Sequence, residues 1–380
     1  MAVTKKKVIL AILSTIANSS YAEKLLPGKW KSKFIFNFYD QDSNNGDQVY
    51  DGTKDEGLTV IEPMLFISHQ IDSTTNVSGH VVLDAWSAES DTKLDGNTGE
   101  SGKGIGNQSR VSGNFSYAKE INKVKLTPHL GFSSEYDYKS FNGGLAYEQS
   151  FAKDNFVLGL GVDYFHDSTK LFDYANEKTT DFKDKRVYSY NISASQILTY
   201  TDIINFNINY IRQTGALESI RNSTPLNGSR YPENLPALRD RFAASTQFIH
   251  GFNDENSISL KYRYYKDSWE MKASTIETSY RKMIQDDDGF LEFNYRYHTQ
   301  DEVEYFKKSL ITAQTYVTSD SDQASFDANR FGMLYSFNRG EVDLSLFKTD
   351  KFEYTIAAYH YFRSNKLKYN VLQASLGIEF

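Results

Sequence analysis

The 380-residue sequence contains no cysteine, which excludes a disulfide framework, a lipid-modified cysteine anchor and thiol chemistry. Proline is scarce at six, and three of them, Pro225, Pro232 and Pro236, crowd into one stretch. No apolar run approaches the roughly 18 to 20 residues that a membrane-crossing helix needs, so an integral protein of this sequence would have to cross with strands. Cations are outnumbered, 42 lysines and arginines against 49 carboxylates, and the net charge of −7 argues against a nucleic-acid partner. There is no phosphate loop, no Gly-x-Ser-x-Gly and no dinucleotide fingerprint. The seven histidines, His69, His80, His129, His166, His250, His298 and His360, include no tight metal-spaced pair, so neither a metal nor a cofactor is expected.

Aromatic residues, by contrast, make up 15% of the chain, with 27 Tyr and 26 Phe. The mean hydropathy is nonetheless negative, at −0.55. A chain polar on average yet rich in aromatics suits a barrel with a wet lumen and aromatic girdles. At the N-terminus Lys5, Lys6 and Lys7 precede an apolar run from Val8 to Ala17 and then Ser20-Tyr21-Ala22, which reads as a secretory signal peptide over residues 1–22. Its removal would leave 39 cationic side chains against 49 carboxylates and residues 23–380 as one domain.

Period-two alternation marks the strands. Ile204, Phe206, Ile208 and Tyr210 oppose Asn205, Asn207 and Asn209, and Tyr188, Tyr190, Ile192 and Ala194 oppose Ser189, Asn191, Ser193 and Ser195. Short polar turns are expected at Asp72–Asn76, Glu120–Lys123, Ala152–Asn155, Thr199–Asp202, Asn253–Asn256, Gln285–Gly289 and Lys348–Lys351. Between them lie longer connections rich in Gly, Asn, Asp and Ser, at 40–56, 87–107, 168–185, 215–239 and 299–324. Seven short turns on one side and long loops on the other predict an all-β fold, a transmembrane antiparallel up-and-down β-barrel of about 16 strands. Two segments are ambiguous: 325–348 is too long for one ordinary strand, and 135–150 has a poorly marked top, so 14 strands is the alternative count.

The last stretch places Leu372, Ala374, Leu376, Ile378 and Phe380 on one face. An amphipathic terminal strand ending in Phe380 resembles the signal by which the barrel assembly machinery of Gram-negative bacteria recognises outer-membrane proteins, although Ser375 stands where that pattern usually has Gly. Three further stretches, Asn234-Leu235-Pro236-Ala237-Leu238-Arg239-Asp240-Arg241, Tyr262-Arg263-Tyr264-Tyr265-Lys266-Asp267-Ser268-Trp269 and Tyr295-Arg296-Tyr297-His298-Thr299-Gln300, resemble in order and spacing a bacterial family catalogued as domain of unknown function 3570. Asp84-Ala85-Trp86-Ser87-Ala88 resembles a further segment of it, with Ala88 in place of Gly. The resemblance covers about half the chain after residue 22. It implies an outer-membrane barrel, embedded in outer-membrane lipid, and assigns no activity.

Strand parity supplies the candidate site. With Ile258, Leu260, Tyr262 and Tyr264 toward lipid, Lys261, Arg263 and Tyr265 point into the lumen, as do Glu292, Asn294, Arg296 and His298 on the strand two along. A charge in hydrocarbon costs roughly 2 to 4 kcal/mol at the midplane, so these residues are expected inside. They would either hold the wall together through interior pairs or line a path for a solute. Arg221, Arg230, Arg239 and Arg241 flank the three clustered prolines and are candidates for a loop that narrows the barrel. The expected function is a porin-like channel for small solutes. The alternatives are a non-conducting structural or surface-interaction barrel and, third, an outer-membrane hydrolase whose residues would have to assemble across strands.

Overall fold

A computed structural model describes residues 25–42, 57–88, 108–173, 176, 178–218, 223–227, 229–284, 288–343 and 348–380. The segment read as a signal peptide lies outside the described residues. Sixteen long strands form the wall: β1 (Trp30–Asp42), β2 (Leu58–Gln70), β3 (Thr75–Ala88), β4 (Gln108–Ile121), β5 (Val124–Ser134), β6 (Tyr138–Phe151), β7 (Phe156–Thr169), β8 (Lys183–Ile197), β9 (Asp202–Gly215), β10 (Leu238–Gly251), β11 (Asn256–Asp267), β12 (Lys272–Ile284), β13 (Gly289–Gln300), β14 (Phe326–Arg339), β15 (Lys351–Arg363) and β16 (Lys368–Glu379). Each pairs antiparallel with its sequence neighbours, and β1 pairs with β16 from Lys31 opposite Glu379 to Asp42 opposite Lys368, which closes the barrel. Closure leaves no edge strand with unpaired backbone groups, the condition for a sheet to sit in hydrocarbon.

The alternation of the sequence becomes an inside and an outside. Phe206, Ile208 and Tyr210 of β9 are exposed outward while Asn205, Asn207 and Asn209 turn in, and on β16 Leu372, Ala374 and Leu376 face outward. Around the short-turn end, Trp30, Phe151, Tyr200, Phe252 and Phe380 are exposed as an aromatic girdle. Charged outward residues on β9 and β10 stay at strand ends, in pairs. Arg212 Nε donates to Asp240 Oδ1 at 2.9 Å near the long-loop end, and Asp202 and His250 pair at 2.7 Å near the other.

Seven connections lie on the side of the two termini: 71–74, 122–123, 152–155, 198–201, 252–255, 285–288 and 340–350. In the two-residue turn between β4 and β5, Asn122 and Lys123 both have positive φ, 50° and 68°, the geometry that matches the twist of a tight hairpin. The last of these connections is longer than the Lys348–Lys351 turn expected from sequence. It starts at Gly340, and Val342–Asp343 pairs with Lys348–Thr349 as a small hairpin outside the wall. This resolves the overlong 325–348 segment into one strand plus a turn. The poorly marked top after β5 is a three-residue connection, 135–137, which the sequence hides because it is the shortest on the long-loop side.

Two of the long loops fold together. The described residues of 216–237, between β9 and β10, meet residues 301–325, between β13 and β14. Asn234 and Val317 exchange backbone hydrogen bonds, Leu310 N–H donates to Pro225 O, and Asn227 N–H donates to Leu310 O. Leu235, Trp269, Met271, Val303, Phe306 and Ala324 bury one another in a small apolar core at this end of the barrel.

Candidate functional site

The lumen wall from β11 to β15 gathers the sequence-predicted residues. On β11, Ile258, Leu260 and Tyr262 are exposed outward, so Lys261, Arg263 and Tyr265 turn in. The register then fixes their neighbours. Lys261 lies opposite Glu277 on β12, Glu277 opposite Arg296 on β13, and Arg296 opposite Arg330 on β14. One row toward the long loops, Arg263 faces Thr275 and Thr275 faces His298. His298 Nδ1 is 2.9 Å from Thr275 Oγ1, and its Nε2 is 3.2 Å from Gln300 Oε1. Arg330 Nη2 reaches Glu277 Oε2 at 3.4 Å, and on β15 Arg363 Nη1 donates to Asp322 Oδ1 at 2.6 Å. Between them is a pocket of about 320 Å³ lined by Arg296, His298, Arg330, Tyr361, Arg363 and Tyr369, with loop residue Asp322 at its rim.

Glu292 and Asn294 sit on the same face nearer the short turns. Glu292 Oε2 accepts two hydrogen bonds from Arg281 of β12, 3.0 Å from Nε and 2.7 Å from Nη2, and so belongs to a fixed ion pair away from Arg296. Asn294 lies opposite Gly332 on β14.

The three stretches that carry the family resemblance converge at the long-loop end of this wall. Arg239, buried, gives Asp267 Oδ2 a hydrogen bond of 2.9 Å from Nε, and its guanidinium lies 4.1 Å from the Trp269 ring centre. Tyr265 hydroxyl donates to the same carboxylate at 2.7 Å, and Asp267 Oδ1 accepts from the Trp269 and Met271 N–H groups at 2.9 and 3.2 Å. Trp269 Nε1 donates to Leu238 O, and Leu235 belongs to the same buried apolar cluster as the indole. From the third stretch, Gln300 Nε2 donates to the carbonyls of Asp322 and Ala324, tying the 301–325 loop to the inner side of β13.

Of the arginines expected on a narrowing loop, Arg239 and Arg241 stand on the wall instead. The strand begins at Leu238 because Leu238 is exposed outward while Arg239 finds Asp267 on the next strand. Arg221 and the side chain of Arg230 lie outside the described residues. On the wall beyond β16, Asn37 Nδ2 donates to Glu62 at 2.7 Å and Arg110 binds Asp84, bordering a pocket of about 530 Å³. His129, which shares a strand face with Glu135 in sequence, pairs with Asp163 of β7 at 2.6 Å, across β6. Among the described residues, no group of three or more His, Asp or Glu side chains could hold a metal. Glu277, Asp322, Arg330 and Arg363 were missed in the sequence. Parity would have found Arg330 and Arg363 had it been carried onto β14 and β15.

A closed antiparallel sheet with an apolar belt outside and charged residues within is a transmembrane β-barrel. The chain belongs to the family described as protein of unknown function DUF3570, whose match spans residues 88–375. No curated protein matches it. Among solved structures it is similar to OccK1 (OpdK) of Pseudomonas aeruginosa, with 7% identity over 93% of this chain and 98% of that one and a TM-score of 0.45. It is also similar to OccK2 (OpdF) of the same organism, with 11% identity over 92% and 98% and a TM-score of 0.44. CdiB of Acinetobacter baumannii shares 9% identity over 92% of this chain and 60% of its own, with a TM-score of 0.49.

Proposed function

We propose that this barrel is an outer-membrane channel through which small solutes pass passively, porin-like in operation. The observation that carries the reading is the inner wall of β11–β14, where Lys261, Arg263, Arg296 and Arg330 turn toward the lumen, Arg296 and Arg330 lining a pocket of about 320 Å³. A barrel whose interior were purely structural would tie such charges off in close pairs, as Arg281 is tied to Glu292. Folding would run through the barrel assembly machinery, with Phe380 as the terminal aromatic of its signal and outer-membrane lipid against the apolar belt. The test is liposome swelling with a panel of neutral and charged solutes up to a few hundred daltons. Swelling with small solutes that falls off with solute size supports the channel, and no swelling from folded barrel refutes it.

One observation favours a second reading, a surface-interaction barrel. The described residues of the 216–237 loop form a packed cap with the 301–325 loop, and Ile311 on that cap is 86% exposed. Binding of an external macromolecule by a barrel that passes no solute would support it.

A further inference from the structure

Arg296 and Arg330 are register partners on adjacent strands, and both side chains turn into the lumen. Like charges directly opposite on a sheet destabilise it, and the repulsion grows where the dielectric falls below that of bulk water. The protein offers little to offset it. Glu277, opposite Arg296 on its other side, reaches Arg330 at 3.4 Å, well beyond the roughly 2.7–2.9 Å of a good charge-assisted hydrogen bond. Arg330 Nε is buried without a hydrogen-bond partner, and Arg296 makes no hydrogen bond or ion pair among the described residues. Arg263, one row toward the long loops and two strands from Arg296, makes none either.

Two other arginines of the same wall show what a structural arginine looks like here. Arg281, toward the short turns, and Arg239, toward the long loops, each give two hydrogen bonds to one carboxylate. Between these satisfied ends, among the described residues, Lys261, Arg263, Arg296 and Arg330 are matched by register with one carboxylate, Glu277, while Arg363 is held by Asp322 and the Tyr361 hydroxyl, in a chain whose net charge is −7. A local excess of cation against the overall charge, with guanidinium N–H groups unspent, fits an oxyanion, whose planar or tetrahedral oxygens match the guanidinium fork.

We propose that Arg296 and Arg330 form an oxyanion subsite in the lumen, which takes the carboxylate or phosphate group of a small solute, while Arg263 and Arg363 raise the local potential that draws the anion in. The site rests on the channel reading for its route, though binding itself does not require passage. The pocket of about 320 Å³ suits a solute of a few carbons plus its anionic group.

The test uses the full-length folded barrel in two independent measurements. In planar bilayers under a KCl gradient, the reversal potential should show anion preference, and millimolar inorganic phosphate or acetate should reduce the chloride current. Stronger block by one of the two identifies which oxyanion source the site prefers. Arg296→Gln with Arg330→Gln should raise the half-blocking concentration by about tenfold or more, and Arg→Lys at both positions should keep anion preference while weakening block, because lysine lacks the fork. Lys123→Gln, in the turn between β4 and β5, is the charge control and should change nothing. Separately, phosphate or acetate should raise the thermal unfolding midpoint of wild-type barrel in detergent and not that of the double Gln variant. Should that variant fail to reach the heat-modifiable form, Arg330→Lys alone takes its place and should lose part of both effects. A wild-type barrel whose current and melting temperature ignore both anions overturns the proposal. So does an effect undiminished in the variants. A barrel that does not conduct, yet is stabilised by oxyanions through these arginines, refutes the channel and keeps the site.

Discussion

Arg239 and Asp267 form a buried ion pair between the first residues of β10 and the last of β11, with side chains only 4% and 0% exposed. Removing one member of such a pair leaves the other charged and unpaired, at a cost of about 3–5 kcal/mol. Here the loss would spread, since Asp267 also holds Tyr265, Trp269 and Met271. Asp267→Ala should therefore lower the urea midpoint of the folded barrel and open the 216–237 and 301–325 loops to added protease. Arg239→Met with Asp267→Leu should recover only part of the stability, because it removes the unpaired charge and still leaves the Tyr265 hydroxyl and the Trp269 and Met271 N–H groups without their acceptor. A single variant with unchanged unfolding and protection would show that this node does not anchor the loops.

A second prediction comes from the opposite wall. His129 and Asp163 meet across β6, where Gly144 is the register partner of both. A Cβ at Gly144 would lie 2.4 Å from Asp163 Oδ1 and 2.5 Å from His129 Nε2, so any side chain there must displace the pair. Gly144→Val should cost about 1–3 kcal/mol, and His129→Ala in the same background should relieve part of it. Strictly additive effects in urea unfolding would contradict the contact.

How much of this was legible in the sequence depends on whether a feature repeats along one strand or is made between strands. The alternation of Phe206, Ile208 and Tyr210 with the three asparagines shows one strand and its two faces without reference to any partner. Repeated with seven short turns, it yields the sixteen strands. The inward parity of Arg263 and Arg296 follows from the same rule. Pairings obey register, which no single strand encodes: Arg239 and Asp267 lie 28 residues apart, and Glu277, between Lys261 and Arg296, enters only when β12 is laid between its neighbours. The loop cap was illegible for a related reason. Its contacts, such as Asn234 with Val317, join segments separated by more than 80 residues with no periodic pattern of their own.

The seam between β1 and β16 supplies a third prediction. Phe380 and Trp30 exchange backbone hydrogen bonds at 2.9 and 2.8 Å, and the Phe380 ring is exposed on the outer face. Deleting Phe380, or replacing it with Asp, should reduce the amount of heat-modifiable barrel in outer-membrane fractions. Unchanged folded yield would remove residues 369–380 as an assembly signal.

Orientation is the fourth. The seven connections on the side of the termini should face the periplasm and the longer loops the exterior. Epitope tags within 89–106 or 217–233 should be reached by antibody on intact cells, and tags at 72–76 or 286–289 should not. The reverse labelling would invert the barrel.

The central claim is that the lumen conducts. Purified barrel, shown to be folded by its heat-modifiable mobility, should insert into planar lipid bilayers in discrete steps of ohmic ion current. Arg263→Ala with Arg296→Ala should then move the reversal potential toward cations at unchanged folded yield. Folded protein that inserts and gives no current steps would contradict the account.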